Sequence, residues 1–207
     1  NVIKEFSKKH GIPVTETFAG KGTLHFSNPF NLGGIGATGT KGANEIAKNS
    51  DLVIGIGTRY GDFTTASKSV WQNKNVDFIN INVAEFDAFK NSAIPLQGDA
   101  RETLKIISQK LESHSTDKGY IEKIKILNKE WDDIVSKIYR TEDPKRPVQS
   151  ELLGAVNEFM DEHDVVLCAA GSAPGDLHKL WKTQNSKGFH LEYGNSCMGY
   201  EIPGGLG

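Results

Sequence analysis

Cysteine is scarce: Cys168 and Cys197 are the only two among 207 residues. Two cannot build a disulfide scaffold, and neither has a CxxC or HxxxH neighbour that would point to zinc. Arginine is scarce as well, at four of 24 basic residues, and Lys and Arg cluster no further than pairs such as Lys8-Lys9. With 26 acidic residues and a net charge of −2, the chain lacks the basic surface that nucleic acid or an anionic membrane demands. Long apolar runs are missing; none approaches the roughly 20 residues of a bilayer span. The start, Asn1-Val-Ile-Lys-Glu, has neither the basic head nor the apolar core of a secretory signal, so a reducing cytoplasm is the expected setting. There is no initiator Met, and the chain stops at Gly204-Gly-Leu-Gly207 where a helix begins. We expect a piece of a longer protein.

What is present is a globular mixture, 37% hydrophobic and 24% charged. Ile12-Pro-Val-Thr is a short β-branched run, followed by a Gly-rich irregular stretch from Gly20 to Gly42. Gly42 to Asn49 has a helical pattern. Asp51-Leu-Val-Ile-Gly-Ile-Gly57 reads as a buried parallel strand, because it is apolar without alternation. Val76 to Val83 and Ile94-Pro-Leu-Gln are further strands, and Asp99-Ala-Arg-Glu102 is a capping box for a helix running to about Leu111. Strands alternating with helices imply an α/β fold with a parallel, Rossmann-like sheet.

After a polar connection at Ser113 to Gly119, the residues Tyr120, Ile124, Leu127, Trp131, Ile134 and Ile138 form one apolar stripe on a long helix, read as a docked connector. Asp143-Pro-Lys-Arg-Pro147 forbids its continuation. A second α/β unit follows. It comprises a helix from Ser150 to about Asp161 with Leu152, Leu153, Val156, Phe159 and Met160 inward, then a strand at Asp164 to Ala170. A loop from Gly171 to Asp176 opens a helix, Phe189 to Tyr193 is a strand, and a last helix is just beginning at the end. The expected units are 1–113, a connector at 114–147, and the first part of a second domain at 148–207.

Gly34-Ile-Gly-Ala-Thr-Gly39 fits GxGxxG, but Asn28 to Leu32 does not read as a strand, so close packing is the reading for these glycines. Gly55-Ile-Gly-Thr-Arg-Tyr-Gly61 does follow a strand, at the edge where open α/β sheets bind ligands. Its spacing is GxGxxxG, and Asn82 stands where an acid would hold a ribose hydroxyl. A nucleotide there stays open. Ala170, Gly171, Ser172 and Ala173 are small residues at a strand end; their amides and the helix behind them suit a phosphate or diphosphate. His178 and His190 are candidate catalytic groups, with packed or surface roles as the plainer reading. Cys168 reads as core and Cys197 as exposed but unactivated. Ser172 sits in no GxSxG elbow.

Several segments together resemble the thiamine-diphosphate enzymes related to acetolactate synthase. They are His10 to Thr23, Gly33 to Glu45 (GGIGATGTKGANE), Asp51 to Asp62, Phe78 to Val83 and Gly98-Asp-Ala, all of which resemble the middle domain. Ala169 to Trp181 and His190 to Ile202 resemble the start of the diphosphate-binding domain, and most closely the branch that hydrolyses a C–C bond of a cyclic 1,2-dione in myo-inositol breakdown. Gly171-Ser-Ala replaces the Gly-Gln-His-Gln of the acetolactate synthases, which argues against a pyruvate carboligase.

The resemblance implies an enzyme that uses thiamine diphosphate and Mg²⁺. Ala170, Gly171, Ser172 and Ala173 would surround the diphosphate, and Ser196, Cys197 and Met198 would lie against the rings. Met198 would be the apolar prop that bends the coenzyme, the Ser196 carbonyl would accept from its amino group, and the Met198 N–H would donate to a ring nitrogen. The resemblance further implies a catalytic glutamate before Asn1, a magnesium-holding segment after Gly207, and an active site shared between subunits of a homodimer or homotetramer. Neither a catalytic nor a metal-binding residue is then expected in these 207, which alone would be inactive. A 2-oxo-acid carboligase or decarboxylase, and a non-catalytic nucleotide-binding module, are the alternatives.

Overall fold

The computed structural model describes residues 1–207 except 141, 142, 144 and 193. The chain opens with α1 (Val2–His10), capped by the Asn1 side chain and ended by Gly11 in the left-handed conformation. β1 (Val14–Glu16) pairs in parallel with β2 (Asn31–Gly34). α2 (Lys41–Lys48) follows, with the Thr40 hydroxyl accepting from the Ala43 amide. A three-stranded parallel sheet then forms in the order β3 (Leu52–Ile56), β4 (Asp77–Asn82), β5 (Ile94–Gln97), interrupted by the short helices α3 (Asp62–Thr65) and α4 (Glu85–Ala88). α5 (Ala100–Lys110) is capped as expected by Asp99, which accepts from the Glu102 amide at 3.0 Å.

Three clusters hold this unit together, one of them Ile35, Ala47 and Val70. Phe6, Ile81 and Leu104 join α1 and α5 to the sheet, with Ile54 and Ile56 packed against them. Leu32, Ala43 and Ile46 meet Ile124 and Leu127 of α6 (Lys118–Ile138). The stripe on α6 is therefore a docking face, as its spacing predicts.

The second unit is α7 (Gln149–Phe159), β6 (Val166–Cys168), α8 (Ala173–Leu180), β7 (Phe189–Leu191) and α9 (Glu201–Leu206), with β6 and β7 paired in parallel. Cys168, Leu177, Trp181 and Leu191 form its core. Both strands are shorter than the segments expected for them. The expected strand residue Tyr193, and Pro144 of the helix-ending segment, lie outside the described residues.

Three expectations need correction. Asn31–Gly34 is a strand, so the GxGxxG letters do follow one; its strand state comes from pairing with β1, which no local pattern announces. β3 is less buried than its apolar run implies, with Leu52 46% exposed, because it lies at a sheet edge. The face assigned to α7 is also wrong in part. Leu153 and Met160 do pack against the core, but Leu152, Val156 and Phe159 are exposed, the last at 91%. The helix turns Gly154 onto Tyr139 and Asn157 toward Lys182, whose amide donates to Asn157 Oδ1 at 2.8 Å. Backbone contact and hydrogen bonding orient it together with Leu153 and Met160.

Candidate functional site

Because β6 and β7 are parallel neighbours, the turns that leave their carboxyl ends lie on the same edge. The first holds Ala170, Gly171, Ser172 and Ala173. Gly171 has φ +86°, and a Cβ built on it would meet nothing within 4 Å. Ser172 is the N-cap of α8 without a side-chain cap, so the helix start keeps its donors. Among the described residues no acceptor bonds the amides of Gly171, Ser172 or Ala173. Open space, free donors and the positive end of a helix fit an anionic group such as a diphosphate.

The second turn runs from Glu192 to Glu201, and two carboxylates shape it. Glu192 accepts from the amides of Gly194, Asn195 and Cys197 at 3.0, 3.1 and 3.1 Å. Those bonds, the Cys197 amide first and against a smaller desolvation, hold its carboxyl below the ordinary carboxylate range. Glu201 takes the Ala169 amide on one oxygen at 3.1 Å and the Gly199 amide on the other at 3.2 Å. Its carboxyl is likewise lowered, by its own amide first and then by those of Ala169, Ala170 and Gly199. One side chain thus fastens the end of β6 to the turn carrying Met198.

Met198 is 89% exposed, an unusual place for a large apolar side chain. Ser196 stands at φ +50°, and among the described residues its carbonyl and the Met198 amide are bonded to nothing. Cys197 differs from its neighbours. Its amide serves Glu192 and its carbonyl accepts from the Tyr200 amide, so its backbone builds the loop. An apolar prop beside one free acceptor and one free donor fits a flat heteroaromatic group, so the residues present suit the coenzyme expected at both turns.

His178 has a different role from the catalytic one weighed for it. It is 1% exposed, with Nε2 3.0 Å from the Glu16 carbonyl and Nδ1 2.9 Å from the Thr38 hydroxyl. The carbonyl fixes the tautomer: Nε2 donates and Nδ1 accepts. Burial first, and the nearby Lys21 cation second, push its pKa down to about 4. Lys21 is buried too and donates to the His178 carbonyl at 3.0 Å; burial lowers it to about 8, opposed by Glu16. The Glu16 carboxyl accepts from the Gly22 and Leu24 amides and is raised by burial, opposed by Lys21. Together these groups pin α8, and with it the turn at 171–173, onto β1 and β2.

The remaining candidates fall away from chemistry. A Cβ on Gly34 would lie 2.6 Å from the His178 ring, and one on Gly36 would strike the Phe63 carbonyl. The GxGxxG turn is filled by protein, as its packing reading expects. At the other glycine run, Tyr60 lies against Gly55, bonds Asn80 Oδ1 at 2.6 Å and packs edge-on to Trp71 and Phe78. Asn82 bonds the Thr58 carbonyl and the Ala84 amide. His190 is exposed and bonds Tyr200 at 2.9 Å. Cys168 is buried, with its thiol raised by burial, and Cys197 is exposed. Glu192 and Glu201 escaped sequence reasoning, since their partners are backbone amides that leave no side-chain pattern.

Comparison with known proteins decides the class. Residues 1–107 match the family described as the central domain of thiamine pyrophosphate enzymes. The chain belongs to that family. It is similar along almost its whole length to proteins named 3D-(3,5/4)-trihydroxycyclohexane-1,2-dione hydrolase. The one from Clostridium tetani is 39% identical over 229 aligned residues, covering 99% of this chain. The one from Clostridium botulinum is 38% identical over 230, covering all of it, and that of Bacillus thuringiensis is 39% identical over 229. The chain spans about a third of the length of these relatives, 36% in each case. Among the described residues, no helix is long and apolar enough to cross a membrane.

Proposed function

We propose that these residues are part of a thiamine-diphosphate-dependent hydrolase that opens the ring of 3D-(3,5/4)-trihydroxycyclohexane-1,2-dione to 5-deoxy-D-glucuronate, within myo-inositol degradation. The observation that carries the reading is the similarity to hydrolases of that name across 99% of the chain, which includes both turns at the β6–β7 edge. The full protein works as a homodimer or homotetramer in the cytoplasm, with Mg²⁺ held by residues beyond these 207.

In this reading the amides of Gly171, Ser172 and Ala173 would donate to the diphosphate beside Ala170, whose own amide serves Glu201, and the α8 dipole adds to their field. Met198 would supply the apolar surface against the coenzyme's rings, with no polar atom to compete for their nitrogens. The Ser196 carbonyl accepts from the amino group of the pyrimidine, and the Met198 amide donates to a ring nitrogen. Glu201 keeps the two turns at fixed separation. When bound, thiamine diphosphate supplies the electron sink for cleavage of the C–C bond next to the attacked carbonyl.

The test uses full-length protein with thiamine diphosphate and Mg²⁺, offered the cyclic dione and, separately, pyruvate, with products identified by mass spectrometry. The open-chain acid from the dione, and no acetolactate or acetaldehyde from pyruvate, is the expected result. Turnover of pyruvate alone would reassign the enzyme to the carboligases or decarboxylases.

A further inference from the structure

The far end of α8, opposite the turn at 171–173, borders a separate cleft of about 310 Å³. Its walls are α6, the segment from Phe26 to Gly33, and the chain from Lys179 to Thr183. That volume is at the lower end of the roughly 300–1,000 Å³ common for small-molecule sites.

Charge sets this cleft apart. Lys125 and Lys129 of α6, Lys179 and Lys182 at the end of α8, and Lys21 line it, against Glu16 and Asp132. Five cations and two anions leave an excess of three positive charges, in a chain whose net charge is −2. Glu16 and Lys21 offset each other, and Lys125 is paired with Glu122 at 3.2 Å. The other three are not so matched. Among the described residues, Lys129, Lys179 and Lys182 make no ion pair. Lys182 rests instead 5.9 Å from the Phe26 ring centre and 5.8 Å from that of Tyr139. Unmatched like charges lining a cleft focus a field that favours an anion. Lysine meets phosphate as a compact point charge.

A second, independent sign comes from Thr183, which lines the same cleft and is 3% exposed. Its hydroxyl is buried without a hydrogen-bond partner, and among the described residues it is the one buried side-chain oxygen or nitrogen in that state. Such a group costs stability unless an acceptor reaches it. An anion's oxygen is one.

The walls define the rest of the ligand. Phe26 is 41% exposed and Trp131 half-buried, so aromatic faces stand among the lysines. Asn28 accepts from the Phe30 amide, and Asn128 donates to the Pro29 carbonyl at 2.9 Å. Each thereby keeps its other amide atom, a donor on Asn28 and an acceptor on Asn128, for further bonding. Cations for a dianion, aromatic faces for the C–H side of a ring, and side-chain amides for hydroxyls suit a phosphorylated sugar.

We propose that this cleft binds a sugar phosphate of about hexose size, with its phosphate among Lys129, Lys179 and Lys182 and its ring against Trp131 and Phe26. The site is separate from the coenzyme turns and does not depend on which reaction the enzyme performs.

Calorimetry tests this on the full-length holoenzyme, saturated with thiamine diphosphate and Mg²⁺ and held at constant ionic strength, with glucose 6-phosphate as the probe. A Kd below about 1 mM is expected, and glucose, inorganic phosphate and glucuronate should each bind at least about 10-fold more weakly. Lys129→Gln combined with Lys179→Gln should weaken glucose 6-phosphate at least about 10-fold and leave thiamine diphosphate affinity unchanged. Lys105→Gln, which removes a lysine of α5 outside the cleft, should change neither. No heat at about 10 mM probe, or glucuronate or inorganic phosphate binding as tightly as glucose 6-phosphate, would overturn the proposal. So would an equal loss in Lys105→Gln, or a fall in coenzyme affinity in the double variant. None of these readouts uses turnover of the dione or of pyruvate, so this proposal and the hydrolase reading fail separately.

Discussion

Of the glycine-rich turns that follow parallel strands in this chain, the one after β2 and the one after β6 have opposite fates. At Gly34 to Gly39 protein atoms already occupy the places where side chains would go, and the Gly36, Gly39 and Thr40 amides are bonded to Asn44, Gly36 and Gly34. Beside Gly171 the space is open, and among the described residues no acceptor bonds the amides of Gly171 to Ala173. The first turn has the better-known letters; the second has room for a ligand. Glycine spacing by itself records that a backbone is crowded, and only the neighbours reveal whether protein or ligand does the crowding.

That contrast is sharpest under substitution. Gly36→Ala places a Cβ against the Phe63 carbonyl at φ +96°. It should cost about 3 kcal/mol or more, combining left-handed strain with overpacking, and lower the melting temperature by about 10 °C. Gly171→Ala adds only the conformational strain, about 1–2 kcal/mol, but should weaken thiamine diphosphate binding by the full-length protein at least about 10-fold, or about 1.4 kcal/mol. Equal melting shifts, or unchanged coenzyme affinity in Gly171→Ala by calorimetry, would erase the distinction.

The junction at His178 supports both turns and should show in acid. Its folded pKa of about 4 lies below an unfolded value of about 6.5, so the native state binds fewer protons between those limits. Stability is then full above pH 6.5 and falls as the pH drops toward 4, by about 3 kcal/mol in all. Denaturation midpoints at pH 7 and pH 4.5 should differ more for the natural chain than for His178→Asn, which carries no titrating ring. Equal differences would remove His178 from that role.

Met198→Ala should leave the unfolding free energy within about 0.5 kcal/mol, as expected of an exposed side chain. Coenzyme affinity of the full-length protein should fall about 10- to 100-fold, the worth of burying one methionine. No change in affinity would sink the prop. Glu201→Gln has the mildest expected effect, faster amide exchange at Ala169 and Gly199 with an unchanged circular dichroism spectrum. Acid should do the same to the natural chain only below the ordinary carboxylate range, because its folded pKa is depressed.

What could be read from residues alone followed the range of the forces involved. The α6 stripe and the Asp99 cap are short-range patterns, and the structure has both. Asn31-Leu-Gly-Gly34 has no such pattern; it is a strand because β1 lies beside it. The inner face of α7 follows the apolar pattern only in part, because Gly154 and Asn157, neither of them apolar, share its contacts with Leu153 and Met160. At the site, the small residues at 171–173 could be recognised by their chemistry, whereas Ser196 and Met198 needed the family resemblance. Glu192 and Glu201 could be found by neither route, since each is defined by amides it gathers only after the loop has closed.

The carboxylate of Glu201 holds the strand end behind one turn and the backbone just past the other. A ligand that touched both would meet a hinge already bolted, so tail and rings could not dock at leisure one after the other. Whatever shifts either rim must drag its opposite along, and a mutation that frees this bolt would be felt first as hesitation in loading rather than as a weaker grip.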